Sequence, residues 1–254
     1  NAAVVNSQLF NAGILLGTAA AGTYTFTNES TTSTLTFAGG IQGGTGGTAD
    51  AKTLTVAGAG NTAIGGVLAD GGATALGLAK SGSGTLILRG VNTFTGDMAI
   101  SGGILEVGGA GQLGAGTYAG GISIASGATF RYNSTSNQIL SGALSGDGGL
   151  SKAGSAVLTL SGVNDYAGAT TLLSPWVSTV GAGAIALSGS GSILNSPITF
   201  SGGSLSLTNT AAETGSGRVA DSLGITSNGG TLTYANTSGT EFYAETIGSV
   251  ALMN

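Results

Sequence analysis

Across 254 residues there are 50 glycines and 2 prolines, and only 7% of the chain is charged, a balance that argues against both a disordered polyelectrolyte and an ordinary charged-surface globule. Six scattered basic residues and a formal charge of −5 provide no basic stripe for a phosphate backbone, so no nucleic acid partner is expected. Without cysteine there is neither a disulfide nor a thiolate metal site, and no run reaches the ~18 apolar residues of a spanning helix, so this segment is not expected to span a membrane that way.

In chain order, the apolar run 4–16 comes first and is broken by Asn6, Ser7, Gln8 and Asn11. It reads as a cap, or as a strand that pairs with a neighbouring subunit. Period-2 alternation then recurs to the end. Tyr24 and Phe26, Leu35 and Phe37, Leu54 and Val56, Leu86 and Leu88, and Met98 and Ile100 are each spaced by two. Leu105 and Val107, Ile122 and Ile124, Phe130 and Tyr132, Leu158 and Leu160, and Ile185 and Leu187 continue it. Ile198 and Phe200, Leu205 and Leu207, Leu232 and Tyr234, and Val250 and Leu252 close the series. Thr, Ser or Ala usually stands between, so each strand buries one face and wets the other. Glycine pairs such as Gly102-Gly103 and Gly148-Gly149 mark the corners. Helical periodicity is nearly absent; residues 212–223 could hold one short turn.

One pattern occurs twice. The copy at 78–107 reads LAKSGSGTLILRGVNTFTGDMAISGGILEV, and the second begins LSKAGSAVLTLSGVNDYAGATTLL at Leu150. Lys80 aligns with Lys152, Gly82 with Gly154, Leu86 with Leu158, Asn92 with Asn164 and Phe94 with Tyr166, at a constant offset of 72 residues (152 − 80). Such self-similarity favours a solenoid, in which stacking supplies the core that one coil cannot. With a coil of roughly 20 residues the chain makes about 12 coils and a rod about 60 Å long. The offset then spans three to four coils, so Asn92 and Asn164 are not expected to be neighbours in one ladder. The two lysines are expected to lay their stems over the coil with the ammonium in water.

The stretch 139–172, ILSGALSGDGGLSKAGSAVLTLSGVNDYAGATTL, resembles the passenger-associated (autotransporter-associated) β-strand repeat of bacterial autotransporter passengers. The first copy has the same parts: Lys80 and Gly82, the strand 84–88, the turn 90–96 and the strand 103–107. Residues 243–252, YAETIGSVAL, are similar to a strand of giant bacterial surface proteins that carry this repeat. The resemblance implies an all-β, right-handed parallel β-helix (β-solenoid), exported through the outer membrane and either displayed on the cell surface or secreted. On that reading, residues 1–254 form a single β-helical segment of a longer surface protein, with repeat copies at 78–107 and 150–177. A start at Asn1 instead of Met agrees with a processed piece. The second copy departs from the pattern at Ser174-Pro175-Trp176-Val177, where Pro cannot donate to a ladder. Pro175 and Trp176 are therefore the candidate interaction site, because a lone Trp at such a break could contact sugar or protein.

The residues point away from catalysis. Histidine is absent, which removes the commonest general base and metal ligand. The acids mostly stand singly beside glycine, and Asp147 and Asp165 read as turn residues. Glu241 and Glu245 are the only close acidic pair, conceivable as glycosidase carboxylates but supported by no other polar cluster. Residues 46–50, GGTAD, touch a calcium β-roll pattern once and break its spacing. The pairs Thr34-x-Thr36, Thr53-x-Thr55 and Thr231-x-Thr233 resemble ice-binding faces but are irregularly placed. No catalytic residue, cofactor or metal site is expected, and no enzyme. The expected function is a structural or adhesive β-helical shaft, self-associating end to end or side by side, or meeting a host-surface or glycan ligand. The alternative is a carbohydrate-binding or carbohydrate-cleaving β-helix.

Overall fold

The computed structural model describes residues 6–17, 21–44, 50–173, 183–209, 217–236 and 245–253. The chain winds as a parallel β-helix. Its spine is an eleven-stranded sheet that starts at Gln8–Phe10 and ends at Ser249–Leu252. Neighbouring strands in it pair in parallel, as Leu86 pairs with Leu105 and Leu105 with Phe130. Each circuit adds one strand to this first face, then passes through a second face and a third. The second face is a three-stranded sheet (Ile14–Leu15, Ile41–Gln42, Leu68–Ala69) and, higher up, a six-stranded one from Thr117–Tyr118 to Thr231–Asn236. The third is a six-stranded sheet from Gly22–Thr27 to Leu144–Ser145, followed by the pair Val163–Asn164 and Ser192–Ile193.

Every alternating pair named above lies in a strand. Their period puts one side chain inward and the next outward, and inward residues of successive coils stack. Leu86, Leu105, Phe130 and Leu150 form one such column, all essentially buried. Towards the two ends the inward positions lose cover: Phe10 is 51% exposed and Leu252 81%. At the first end Phe10 stacks on Phe37 with ring centroids 5.3 Å apart, and Phe26 lies tilted against Phe37 at 4.8 Å.

Four expectations change. Coils are uneven: along the first face they run from 19 residues (Thr85 to Ile104) to 28 (Thr170 to Ile198), because corner loops vary in length. Eleven rungs at about 4.8 Å make a stack about 48 Å long, shorter than expected. The run 4–16 is not a separate cap over its described part: Gln8–Phe10 and Ile14–Leu15 are ordinary rungs pairing with Leu35–Phe37 and Ile41–Gln42. Within 212–223 the described residues 217–223 contain no helix; a single 3-10 turn sits instead at Gly114–Gly116.

The repeat offset takes a simple geometric form. Three circuits above Leu86 the first face holds Leu150, and eight residues further the chain reaches Leu158 on the second face. The two copies are therefore turned by a third of a circuit. Lys80 ends a strand of the third face and Lys152 a strand of the first, so Asn92 and Asn164 do lie in different ladders.

Candidate functional site

The recurring polar residues of the repeat point inward. Lys80 is 2% exposed and Lys152 0%, which overturns the expectation of wet ammonium groups. Strand parity explains it: Leu76, Leu78 and Lys80 share one face, as do Leu150 and Lys152. Each ammonium sits in a corner and donates to carbonyls of the turn that follows. Lys80 Nζ reaches Ser81 O at 2.7 Å, Gly82 O at 2.8 Å and, in the next coil, Gly102 O at 3.2 Å. Lys152 Nζ reaches Ala153 O at 2.5 Å and Gly154 O at 3.1 Å, and lies 5.7 Å from the centre of the Tyr132 ring. Gly82 and Gly154 have φ of +74° and +68°, a left-handed bend that turns the carbonyls towards the lysine. No carboxylate pairs with either lysine among the described residues. Burial therefore pushes both ammonium groups down, to about 8.

The asparagines hold three coils together. Asn92 Oδ1 accepts from Leu68 N at 2.9 Å, and its Nδ2 donates to Gly90 O at 2.8 Å and Gln112 O at 2.9 Å. Asn164 repeats the pattern with Leu144 N, Gly162 O and Ser192 O, each at 2.8 Å. Both are fully buried, and satisfying them requires those backbone partners. The aromatic positions differ between copies. Phe94 packs edge-on to Tyr118 at 5.5 Å, whereas the Tyr166 hydroxyl meets Thr170 Oγ1 at 2.5 Å, and Thr170 meets Ser196 Oγ at 2.7 Å.

The outer surface carries the acids. Asp70 accepts from Leu76 N, Thr95 N and the Thr95 hydroxyl, and Asp97 from Gly121 N, so both serve turns. Asp147 and Asp165 are exposed in bends and loops between strands. Glu245 accepts from Arg218 N at 3.0 Å and Val219 N at 2.7 Å, a structural role, while Glu241 and residues 46–49 lie outside the described residues. Among the described residues no three acids gather as a metal-binding group, and no helix is long and apolar enough to cross a membrane. The three Thr-x-Thr pairs fall on three different faces, so they build no common threonine plane. A groove of about 300 Å³ runs past Ala99, Ser123, Ala125 and Asp147 on the third face.

Sequence reasoning missed one cluster, on the outside of the first face. Arg131 Nη1 lies 3.3 Å from Glu106 Oε2, and Asn133 Nδ2 donates to Glu106 Oε1 at 3.2 Å. The register pairs Glu106 with Arg131. No local motif announced this, since the partners are a full coil apart. Pro175 and Trp176 lie outside the described residues.

Residues 78–107 and 150–174 match the family model of the passenger-associated-transport-repeat. Over 221 residues the chain is 34% identical to the adhesin BmaC autotransporter of Brucella suis biovar 1 (strain 1330), a match that takes in 80% of this chain. The chain spans only about 6% of the length of that relative. No solved structure matches it significantly. On these matches the chain is an autotransporter passenger segment built with passenger-associated-transport repeats, and its place is the cell surface.

Proposed function

We propose that this chain is a non-catalytic shaft of a longer surface protein, a β-helical stem that spaces and displays adhesive surface. The observation that carries the reading is where the chain spends its polar groups. Lys80, Lys152, Asn92 and Asn164 are all buried and bonded to backbone of their own or adjoining coils. They hold coils in register, and none of these four side chains is exposed to act on a substrate. The described acids that make side-chain bonds serve turns or a single surface ion pair. The adhesin name of the relative supports the adhesive half of the reading.

Self-association is the finer part of the proposal. Phe10, Leu232, Tyr234 and Leu252 are exposed large apolar side chains among the described residues, surface that favours contact with another chain. Electron microscopy and small-angle scattering of the purified chain test both parts. A rod about 48 Å long, lengthening with concentration, supports shaft and fibre together. A compact particle overturns the shaft. Turnover of any member of a polysaccharide panel overturns the non-catalytic assignment in favour of the carbohydrate-active alternative.

A further inference from the structure

Four of the chain's six basic residues are inside: Lys52, Lys80, Lys152 and Arg218 are 4%, 2%, 0% and 3% exposed. The two that reach the surface, Arg89 and Arg131, stand on the same face two coils apart. All outward positive charge of a −5 chain is thus gathered in one place. Arg131 is committed to Glu106, whose second oxygen is taken by Asn133. Arg89 is exposed, and its guanidinium has no hydrogen-bond or ion-pair partner among the described residues.

Between them is a shelf. The strand Ile104–Gly109 ends in two glycines: Gly108 is buried, with Glu106 Oε1 2.8 Å from where its side chain would begin, and Gly109 presents exposed backbone. The register puts Gly108 beside Asn133 and Gly109 beside Ser134 in the coil above. From the coil below, Arg89 reaches across, its Nη1 4.0 Å from where a side chain on Gly109 would begin. The exposed Thr135 hydroxyl, bonded to Gly109 O at 3.1 Å, closes the upper side. A free planar guanidinium, an amide and a hydroxyl surround the exposed backbone of Gly109, with the Glu106 carboxylate lying beside it over Gly108.

We propose that this shelf binds an acidic sugar, a uronate or sialate residue of a glycan. Arg89 takes the carboxylate bidentately, the geometry for which a guanidinium is suited. Asn133 and Thr135 face the ring hydroxyls. Arg131 keeps the Glu106 carboxylate neutralised, so it does not repel the ligand. This deepens the adhesive reading above by naming the ligand's chemistry.

The test is calorimetric titration of the intact chain with trigalacturonate and N-acetylneuraminic acid, with maltotriose as the neutral control. The wild type is expected to bind an acidic sugar, more weakly in 0.5 M salt than in dilute buffer, as charge screening demands. Arg89→Ala is expected to weaken binding by about tenfold or more and Arg89→Lys by less. The thermal midpoint of both variants should stay at the wild-type value, because the Arg89 guanidinium makes no hydrogen bond or ion pair among the described residues and its backbone bond to Ile64 O survives either substitution. Failure of the wild type to bind either acidic sugar, equal binding by Arg89→Ala, or equal binding of maltotriose overturns the site. So does a wild-type dimer that Arg89→Ala dissociates, since Arg89 would then be meeting an acid of a second copy. A rod that ignores acidic sugars sinks this inference and leaves the shaft standing.

Discussion

The Lys152 ammonium lies 5.7 Å from the centre of the Tyr132 ring, inside the coil stack, with Ala153 O at 2.5 Å. Burial lowers it and Lys80 to about 8, while an unfolded lysine stays near 10.5. Between those values the unfolded chain holds protons that the folded chain has released, so stability rises with pH across the window and is flat below it. Tyr118, Tyr132 and Tyr166 work the other way: burial raises all three, so ionisation of unfolded tyrosine lowers stability above pH ~10. A denaturation midpoint that climbs from pH 8 to 10 and then falls is expected. The gain is on the order of 1–2 kcal/mol per lysine, allowing for solvent near the ammonium. Lys152→Met keeps the stem and removes the charge; it should stay within about 1 kcal/mol of wild type at pH 7 and lose its part of the climb. A flat profile for the wild type counts against buried, proton-releasing lysines.

Asn164 spans three coils, so its loss strands Leu144 N together with the carbonyls of Gly162 and Ser192. Asn164→Ala should cost about 3 kcal/mol in chemical denaturation, the penalty of leaving buried backbone groups unmade. Asn195, an exposed residue with one bond to Asp165 O at 3.2 Å, is the control; its alanine variant should cost under about 0.5 kcal/mol. Equal costs at the two sites would refute the staple.

The aromatic positions of the two copies are not interchangeable. Tyr166→Phe removes the hydroxyl that meets Thr170 and should cost about 1 kcal/mol, because Thr170 retains Ser196. Phe94→Tyr places a hydroxyl in a fully buried, well-packed position and should cost about 1–3 kcal/mol. Thermal unfolding of both variants measures the pair; a stabilising Phe94→Tyr would show space and a partner that the packing does not contain.

Gly154 combines φ of +68° with close backbone, since a Cβ there would stand 2.7 Å from Ser134 O. Gly154→Ala should therefore lower stability by about 2 kcal/mol or more, and it should move the carbonyls that hold Lys152. A tolerated alanine, measured by denaturant midpoint, would mean that the corner adapts.

Much of the fold was legible in particular residues. Leu86 and Leu88, spaced by two and flanked by threonine and isoleucine, specify a strand and its buried side with no tertiary information. The same parity put Lys80 inside with Leu76 and Leu78. The preference of lysine for water argued otherwise, and the competing signal was Gly82, two residues on, whose left-handed bend supplies the carbonyls. Asn92 could be assigned to a turn from its Gly-Val-Asn setting, but not its partners, because Leu68 and Gln112 are 24 and 20 residues away.

The strands, their inward faces and a unit recurring at 72 residues can be read along the chain without its fold. How that unit meets the coil depends on closure of the circuits in three dimensions. Coil length is a sum of strands and corner loops, and the loops vary, so no local pattern gives the circuit at which a residue arrives. That closure places the second Gly-Val-Asn turn a third of a circuit from the first. It also brings Arg89, Glu106, Arg131 and Asn133 to one outer face from three separate coils.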